Sequence, residues 1–424
     1  MSVSRLVYSA LAYALIPAAL ARLAWRGRRE RGYREHVGER FGRYGEAPPA
    51  GPLIWVHAVS VGETRAAEPL VRALVASCPD HRILLTHMTP TGRRTGDTVF
   101  RNGVLRCYLP YDYPGAVARF LDHYQPRAGV LLETEVWPNL VHGAKVRGIP
   151  LYLVNARLSE KSLQGYLRFA ALSREAFGAL TAVAAQTNED GERLRAVGAR
   201  NVDVTGNLKF DATPDRAQIE FGRMRRRAYG RSSILLAAST RDGEEALLLD
   251  ALPLLPAGVL FVIVPRHPQR FDEVAALLEA KAIAYQRLSK PQPLTPDTRV
   301  LLGDSMGEMI AHYAACDIAF IGGSLLPFGG QNLIEACAVG KPVLLGPHTY
   351  NFEEAAGKAI EAGAGLRVAT ADEVMRSAEE LFADPALLDG MGRRGVEFTR
   401  AHRGATGRVM RMLDGVTKKG DEKG

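Results

Sequence analysis

The chain has 424 residues, of which 47% are hydrophobic and 24% charged, and its formal net charge is +8. That composition excludes an intrinsically disordered chain, and the length suits two hydrophobic cores better than one. Cys78, Cys107, Cys316 and Cys337 show no paired spacing, which argues against a disulfide framework or a zinc site and fits a reduced, cytosolic compartment.

Residues Leu6 to Ala21 carry no charge and lie between Arg5 and Arg22. As one helix this run would span roughly 24 Å, short of a hydrocarbon core about 30 Å thick. Including Leu23 to Trp25 and snorkelling Arg22 lengthens the span, so residues 1–25 are expected to form a membrane-anchor helix. Ala19-Leu20-Ala21 resembles a signal-peptide processing site, but the stronger positive charge follows the apolar run, which holds the next domain in the cytoplasm. A buried or interfacial helix is the third reading, given the short run and Pro17. Between Arg22 and Arg43, eight Arg stand against three Glu. This basic stretch has no nucleic-acid motif and no interleaved stacking aromatics, so anionic inner-membrane lipid is the expected partner and nucleic acid is not.

Beyond it, short apolar runs alternate with helical periods. Leu53 to Val56 reads as a strand, and Glu63 to Ala76 as a helix with Ala67, Leu70, Val71, Leu74 and Val75 on one face. Ile83 to Thr86, Val130 to Leu132, Leu151 to Val154 and Val183 to Ala185 are the next strands. The rhythm restarts with Ile234 to Ala238, Val259 to Val264, Val300 to Leu302, Ile318 to Ile321 and Pro342 to Leu345. Such alternation predicts parallel sheets covered on both faces. The polar stretch from about Lys209 to Arg231 reads as the crossing between halves. The expected divisions are residues 1–25, 26–208, 209–400 and 401–424, the last a helix end with a disordered tail from Lys418. Two open α/β halves facing across a cleft would bind ligands beyond the carboxyl ends of their strands.

Four segments carry candidate chemistry. His57 to Thr64 joins the first strand to its helix. Gly62 is expected to permit a tight turn, and Glu63, at the helix start, is either a general base or an acid that complements the helix dipole. Glu133 and Glu135 follow a strand one residue apart, where like charges raise one pKa and Trp137-Pro138 could wall a pocket. Their other reading is a loop whose acids pair with Arg. In Pro265-Arg266-His267-Pro268, Arg266 suits a phosphate and His267 could donate beside it or serve structurally. In Gly322 to Ala336, a strand, a glycine-rich loop and a helix follow in order. The glycines let backbone approach a ligand, and Asn332 and Glu335 would share a helical face. Neither the dinucleotide fingerprint nor the Walker lysine pattern is present. Gly303 to Met309 reads either as a plain helix start or as a source of backbone donors near a base or phosphate, and Lys209 either reaches a cleft or is merely solvated.

Together these segments resemble the bacterial 3-deoxy-D-manno-octulosonic acid (Kdo) transferase family over nearly the whole chain. The resemblance rests on Ser60-Val-Gly-Glu63, Glu133-Thr-Glu-x-Trp-Pro-Asn139, Thr205-Gly-Asn-Leu-Lys-Phe-Asp211, Pro265-Arg-His-Pro268, and Gly322-Gly-Ser324 followed by Gly330-Gln-Asn-x-x-Glu335. It implies a GT-B glycosyltransferase fold, metal-independent and membrane-associated, with a final helix that crosses back to the N-terminal half. It implies inverting transfer of Kdo from CMP-Kdo to lipid IVA, a lipid A precursor, at the cytoplasmic face of the inner membrane. Glu63 would be the base and Glu133 its support. Lys209 and Arg266 would stabilise the leaving phosphate. Arg266, His267, Met306, Gly307, Glu308, Asn332, Leu333, Ile334 and Glu335 would hold CMP. No metal or other cofactor is expected. The alternatives are a GT-B transferase or epimerase that uses a UDP-sugar, and a non-catalytic membrane-bound nucleotide-binding scaffold.

Overall fold

A computed structural model describes residues 2–290 and 292–417; the tail expected to be disordered lies outside these. The chain divides into two α/β units. The first runs to Ala212 and resumes at His402, and the second is Thr213–Ala401. Lys209 therefore belongs to the first unit.

The first unit is built on a seven-stranded parallel sheet of β1 (Leu53–His57), β2 (Arg82–His87), β3 (Leu105–Tyr108), β4 (Ala128–Leu132), β5 (Leu151–Ala156), β6 (Ala182–Ala185) and β7 (Val202–Val204). Their order is β3-β2-β1-β4-β5-β6-β7. Leu53 and Trp55 pack into the core on one face, Ile54 and Val56 into the core on the other. Burial on both faces explains why these strands read as unbroken apolar runs rather than alternating ones. After β1 the chain crosses to β2 on one side, whereas β4 pairs on the other. The strand order therefore reverses between β1 and β4, the kind of switch point at whose carboxyl ends open α/β sheets bind ligands.

The second unit repeats the plan with β8 (Ser233–Thr240), β9 (Val259–Pro265), β10 (Tyr285–Arg287), β11 (Val300–Leu302), β12 (Ile318–Ile321), β13 (Val343–Leu345) and β14 (Gly365–Arg367). Their order is β10-β11-β9-β8-β12-β13-β14, so the corresponding switch point lies between β8 and β12. The chain then returns to the first unit. Ala405, Val409 and Leu413 join the core that contains Ala67, Leu70 and Leu208. Asp211 receives the Gly404 and Thr406 amides at 2.6 and 2.5 Å and so caps the returning helix Ala405–Met412.

The expected single anchor helix is not what forms. Two helices, α1 (Val3–Ala14) and α2 (Ile16–Arg29), meet at a 45° bend, and among the described residues no single helix is long and apolar enough to cross a membrane. Pro17 lacks the N–H that would continue the ladder and breaks the run here. One side of α1 is tied to the first unit. Arg5 pairs with Glu175 at 2.9 Å, Tyr8 donates to Asp112 at 2.9 Å, and Ser9 donates to Asn139 at 2.8 Å. The opposite side carries Val3, Val7 and Leu11, spaced four apart and 76, 54 and 58% exposed, so α1 is an amphipathic surface helix.

Of the arginines in the basic stretch, Arg22, Arg28, Arg29, Arg31, Arg34 and Arg43 are exposed. Arg40 departs from the pattern: it is buried, lies over the Tyr108 ring and donates to the Met88 carbonyl.

Candidate active site

In the first unit, Ser60 caps α3 (Val61–Ser77) and Glu63 sits three residues on. The Ser60 Oγ accepts the Glu63 amide at 3.5 Å and donates to Glu63 Oε1 at 3.0 Å, while Val59 N donates to Oε2 at 2.8 Å. This is a variant of the capping box in which the carboxylate takes the amide before the cap, so the acid does stabilise its helix. The environment also alters its chemistry. Burial pushes the Glu63 carboxyl up to about 8, and the Glu133 and Glu135 carboxylates add to the shift against the bonds from Val59 and Ser60. A half-buried acid with that value ionises close to neutral pH, as a general base requires.

One feature of this segment corrects the sequence reading. Gly62 does not turn the chain. It is the second residue of α3, and a methyl there would meet only Ser60 Oγ at 3.9 Å, so open space lies beside Gly62. His57 is fully buried, its ring held by Thr86 and pushed down to about 3 by burial, which gives it a structural role.

Glu133 follows β4 at the sheet's switch point, with a left-handed φ of +58°. Such a backbone is costly for a residue with a Cβ and marks a position where geometry is imposed. Lys209 Nζ lies 3.2 Å from Glu133 Oε1 and Arg157 Nε lies 3.5 Å from Oε2. Burial raises this carboxyl, but the two cations outweigh it and leave Glu133 below the ordinary carboxylate range. Glu135 differs: burial raises it, and Trp137 Nε1 donates to it at 2.7 Å. The fold therefore gathers Glu63, Glu133, Glu135 and Lys209. Arg157 completes the group and escaped the sequence reading, where the Asn155-Ala-Arg157 strand end gave no signal.

In the second unit, Arg266 follows β9 and donates through Nε to Gln331 Oε1 at 3.2 Å, joining the Pro-Arg-His-Pro turn to the glycine-rich loop. Partial burial, then the cations Arg241, Arg266 and Arg270, lower the His267 pKa. The Arg270 charge is offset by Asp242, Glu245 and Glu273, and Arg241 and Arg266 are the cations that suit a phosphate. Arg241, at the end of β8, was not anticipated. Neither was Glu244, fully buried, whose carboxylate accepts the amides of Arg241, Gly323 and Leu325 at 2.9, 2.6 and 2.9 Å and clamps the glycine loop.

That loop departs from expectation in two ways. A Cβ at Gly322 would lie 2.6 Å from Ser239 O, and one at Gly329 would lie 2.3 Å from Asn351, so these glycines admit the chain's own atoms. The following helix, Ile334–Ala338, has only five residues. Asn332 precedes it and accepts the Ile334 amide at 3.1 Å instead of sharing a helical face with Glu335. Glu335 is half-buried, while Leu333 and Ile334 are core side chains, 0 and 3% exposed, that can offer a ligand only backbone. Met306 is exposed and Gly307 is left-handed at φ +85°. The Gly307 carbonyl accepts from Gln218 at 2.7 Å, and Glu308 pairs with Arg225 at 2.9 Å, so this segment is tied to the helix Arg216–Tyr229.

The family described as "3-Deoxy-D-manno-octulosonic-acid transferase (kdotransferase)" matches residues 35–212. A 3-deoxy-D-manno-octulosonic acid transferase of Bordetella pertussis is 47% identical, covering 95% of this chain and 98% of its own. The enzyme of the same name from Haemophilus influenzae is 38% identical, covering 90% and 91%. Among solved structures, the UDP-GlcNAc 2-epimerase of Neisseria meningitidis bound to UDP-GlcNAc is similar, with a TM-score of 0.57 and 17% identity over 86% of this chain and 100% of that one. At that identity the likeness shows a shared fold and carries nothing about the reaction.

Proposed function

The chain belongs to the 3-deoxy-D-manno-octulosonic acid transferase family and is a glycosyltransferase that moves Kdo in lipopolysaccharide synthesis; from that premise we propose that Glu63 is the general base of an inverting transfer from CMP-Kdo to lipid IVA. The observation that carries this reading is the Glu63 carboxyl, pushed up to about 8 beside the strained, cation-paired Glu133. Ionised Glu63 takes the proton of an acceptor glucosamine hydroxyl, and the oxygen forms its bond to the Kdo anomeric carbon as the bond to CMP breaks. Charge develops as in other glycosyl transfers, with an oxocarbenium-like centre. CMP leaves as a phosphate monoester anion, so no acid need protonate it.

In this reading the second unit carries the donor. Arg266, with Arg241 and His267 beside it, compensates the phosphate without a metal. Met306 to Glu308 and Asn332 to Glu335 line the nucleotide site, chiefly through backbone. Glu133 with Lys209 and Arg157 fixes the charge around the base. The exposed side of α1 and the arginines after it rest on the anionic cytoplasmic face of the inner membrane, where the acceptor lies.

The direct test incubates the purified protein with CMP-Kdo and lipid IVA and follows the lipid by mass spectrometry. Glu63→Gln should slow transfer by about 10²- to 10⁴-fold and retain CMP binding. Unchanged transfer in that variant removes Glu63 as the base. CMP should raise the melting temperature where UDP does not, which separates this donor from a UDP-sugar.

A further inference from the structure

We infer that Asn155, Gln186 and Asn207 are positioning residues that hold the Lys209 ammonium against Glu133 through a closed ring of hydrogen bonds. The ring runs across the carboxyl ends of β4, β5, β6 and β7, and the inference rests on the reaction proposed for Glu63.

Asn155 is fully buried near the end of β5 and left-handed, with φ +51°. Asparagine tolerates that region better than most residues, but the conformation still costs free energy. Here it lets one residue serve two neighbours: its Oδ1 accepts the Leu208 amide at 2.9 Å, and its carbonyl accepts Gln186 Nε2 at 2.9 Å. Gln186, just past β6, accepts Asn207 Nδ2 on its Oε1 at 3.0 Å. Asn207 in turn accepts the Lys209 amide on its Oδ1 at 3.0 Å.

Three consecutive residues, Asn207, Leu208 and Lys209, are thus gripped by amide groups. The Lys209 side chain then ends 3.2 Å from Glu133 Oε1. Glu133 closes the ring, since its amide donates to the carbonyl of Val154, the residue before Asn155, at 3.0 Å. The pairing of β5 with β6 slips between Leu153 and Ala156, around Asn155. An irregularity of that kind re-aims side chains at a strand end.

The chemistry of the three side chains fits this purpose. All are uncharged and can donate and accept at once, so they fix the segment without competing for the ammonium. A carboxylate at 186 or 207 would offer Lys209 a rival partner. The local charge also matters to the base. Glu63 is faced by the Glu133 and Glu135 carboxylates, and Glu133 by Lys209 and Arg157. With the ammonium displaced, the carboxylates lose a compensating cation and the base holds its proton to higher pH.

Gln186→Leu and Asn207→Ala test the ring, the second at a half-buried site where folding is less at risk. Acylation of Lys209 by acetic anhydride, followed by peptide mass spectrometry, should quicken severalfold in both variants while other lysines keep their rates. In the transfer assay, kcat should fall roughly 10- to 10²-fold with an unchanged KM for CMP-Kdo, since misplacing a charged group by about 1 Å costs on that order. The acid limb of the pH–rate profile should move to higher pH. Adding Gln186→Leu to Lys209→Met should cost nothing further, because both act through one contact. Unchanged Lys209 acylation in a folded variant, a loss confined to KM, or multiplying losses in the double variant overturns the inference. If the unaltered protein transfers no Kdo, the functional reading falls, and the acylation arm still decides the positioning.

Discussion

Tyr8 of α1 donates to Asp112 at 2.9 Å, and the same buried carboxylate accepts the Asn139 and Leu140 amides at 3.0 and 2.8 Å. Asn139 and Leu140 open the helix that follows the Glu133–Trp137 segment. The outer helix is therefore fastened to the element that anchors the acidic motif, and the apolar N-terminal run contributes to the fold of the first unit. Burial raises Asp112 to about 6 against the three donors that lower it, so the group depends on them.

Tyr8→Phe removes one of those donors and nothing from the hydrophobic contact. The expected loss is about 1.5–3 kcal/mol, the range for a hydrogen bond to a charged group. A urea titration at neutral pH should show a lower midpoint with an unchanged slope. An unshifted midpoint would mean that α1 is held by its apolar side alone.

The pH dependence follows from Glu63. A general base pushed up to about 8 makes the rate rise with pH through that region and level off above it. Stability runs the other way. The folded-state value lies above the unfolded value, so protonated Glu63 favours the fold. That contribution is full below about 4.3, the usual glutamate value. It declines as pH rises and is lost by pH about 8, as the folded carboxyl ionises. Glu63→Gln should therefore melt higher than the unaltered protein at pH 9 and lose that advantage in acid. A matching melting difference at pH 4 and pH 9 would contradict the shifted value.

The strands read directly from the sequence are the inner ones of each sheet. The four that gave no signal, β3, β7, β10 and β14, are the outer strands of the two sheets. Their residues are partly exposed, β10 being half-buried throughout and β7 and β14 exposed over two of three positions. Apolar runs mark only strands covered on both faces, so edges escape. Glu133 and Arg266 were legible because each directly follows an inner strand, and Glu63 because it opens the helix after one. Arg157 and Gln186 also end inner strands, but no charge pair or glycine drew attention to them. Lys209 could be found, but its partner could not, since pairing across 76 positions is set by the fold.

Gly62 offers a sharper probe of the open space. Its backbone is helical and a Cβ meets nothing closer than 3.9 Å, so Gly62→Ala should fold and gain up to about 1 kcal/mol from lower unfolded-state entropy. Where the acceptor must approach Glu63 over this residue, the methyl occupies its path. Transfer should fall with a raised KM for lipid IVA while the melting temperature holds or rises. A variant with unaltered KM would place the acceptor elsewhere.

Val3, Val7 and Leu11 form one exposed stripe on α1, and six exposed arginines follow. An amphipathic helix with a basic neighbour binds anionic bilayers through buried apolar area and charge together. The protein should float with vesicles containing phosphatidylglycerol and less with vesicles of phosphatidylcholine alone, more weakly at high salt. Leu11→Glu should reduce flotation at low salt. Equal flotation of the variant would assign binding to the arginines only.

Glu244 is the residue on which the glycine loop of the second unit depends. Its carboxylate takes backbone amides from the turn after β8 and from the loop after β12, in a site with no access to water. Glu244→Gln keeps the shape and replaces one acceptor oxygen with an NH2 that faces backbone donors. At least one amide is left unpaired, and each such group costs about 1–3 kcal/mol. The strands to either side are packed on both faces, so the loop should yield before the sheet does. CMP affinity measured by calorimetry should drop further than the melting temperature suggests, because Gln331, the partner of Arg266, rides on the same loop. Intact CMP affinity alongside reduced stability would show that the clamp supports the sheet and leaves the nucleotide site untouched.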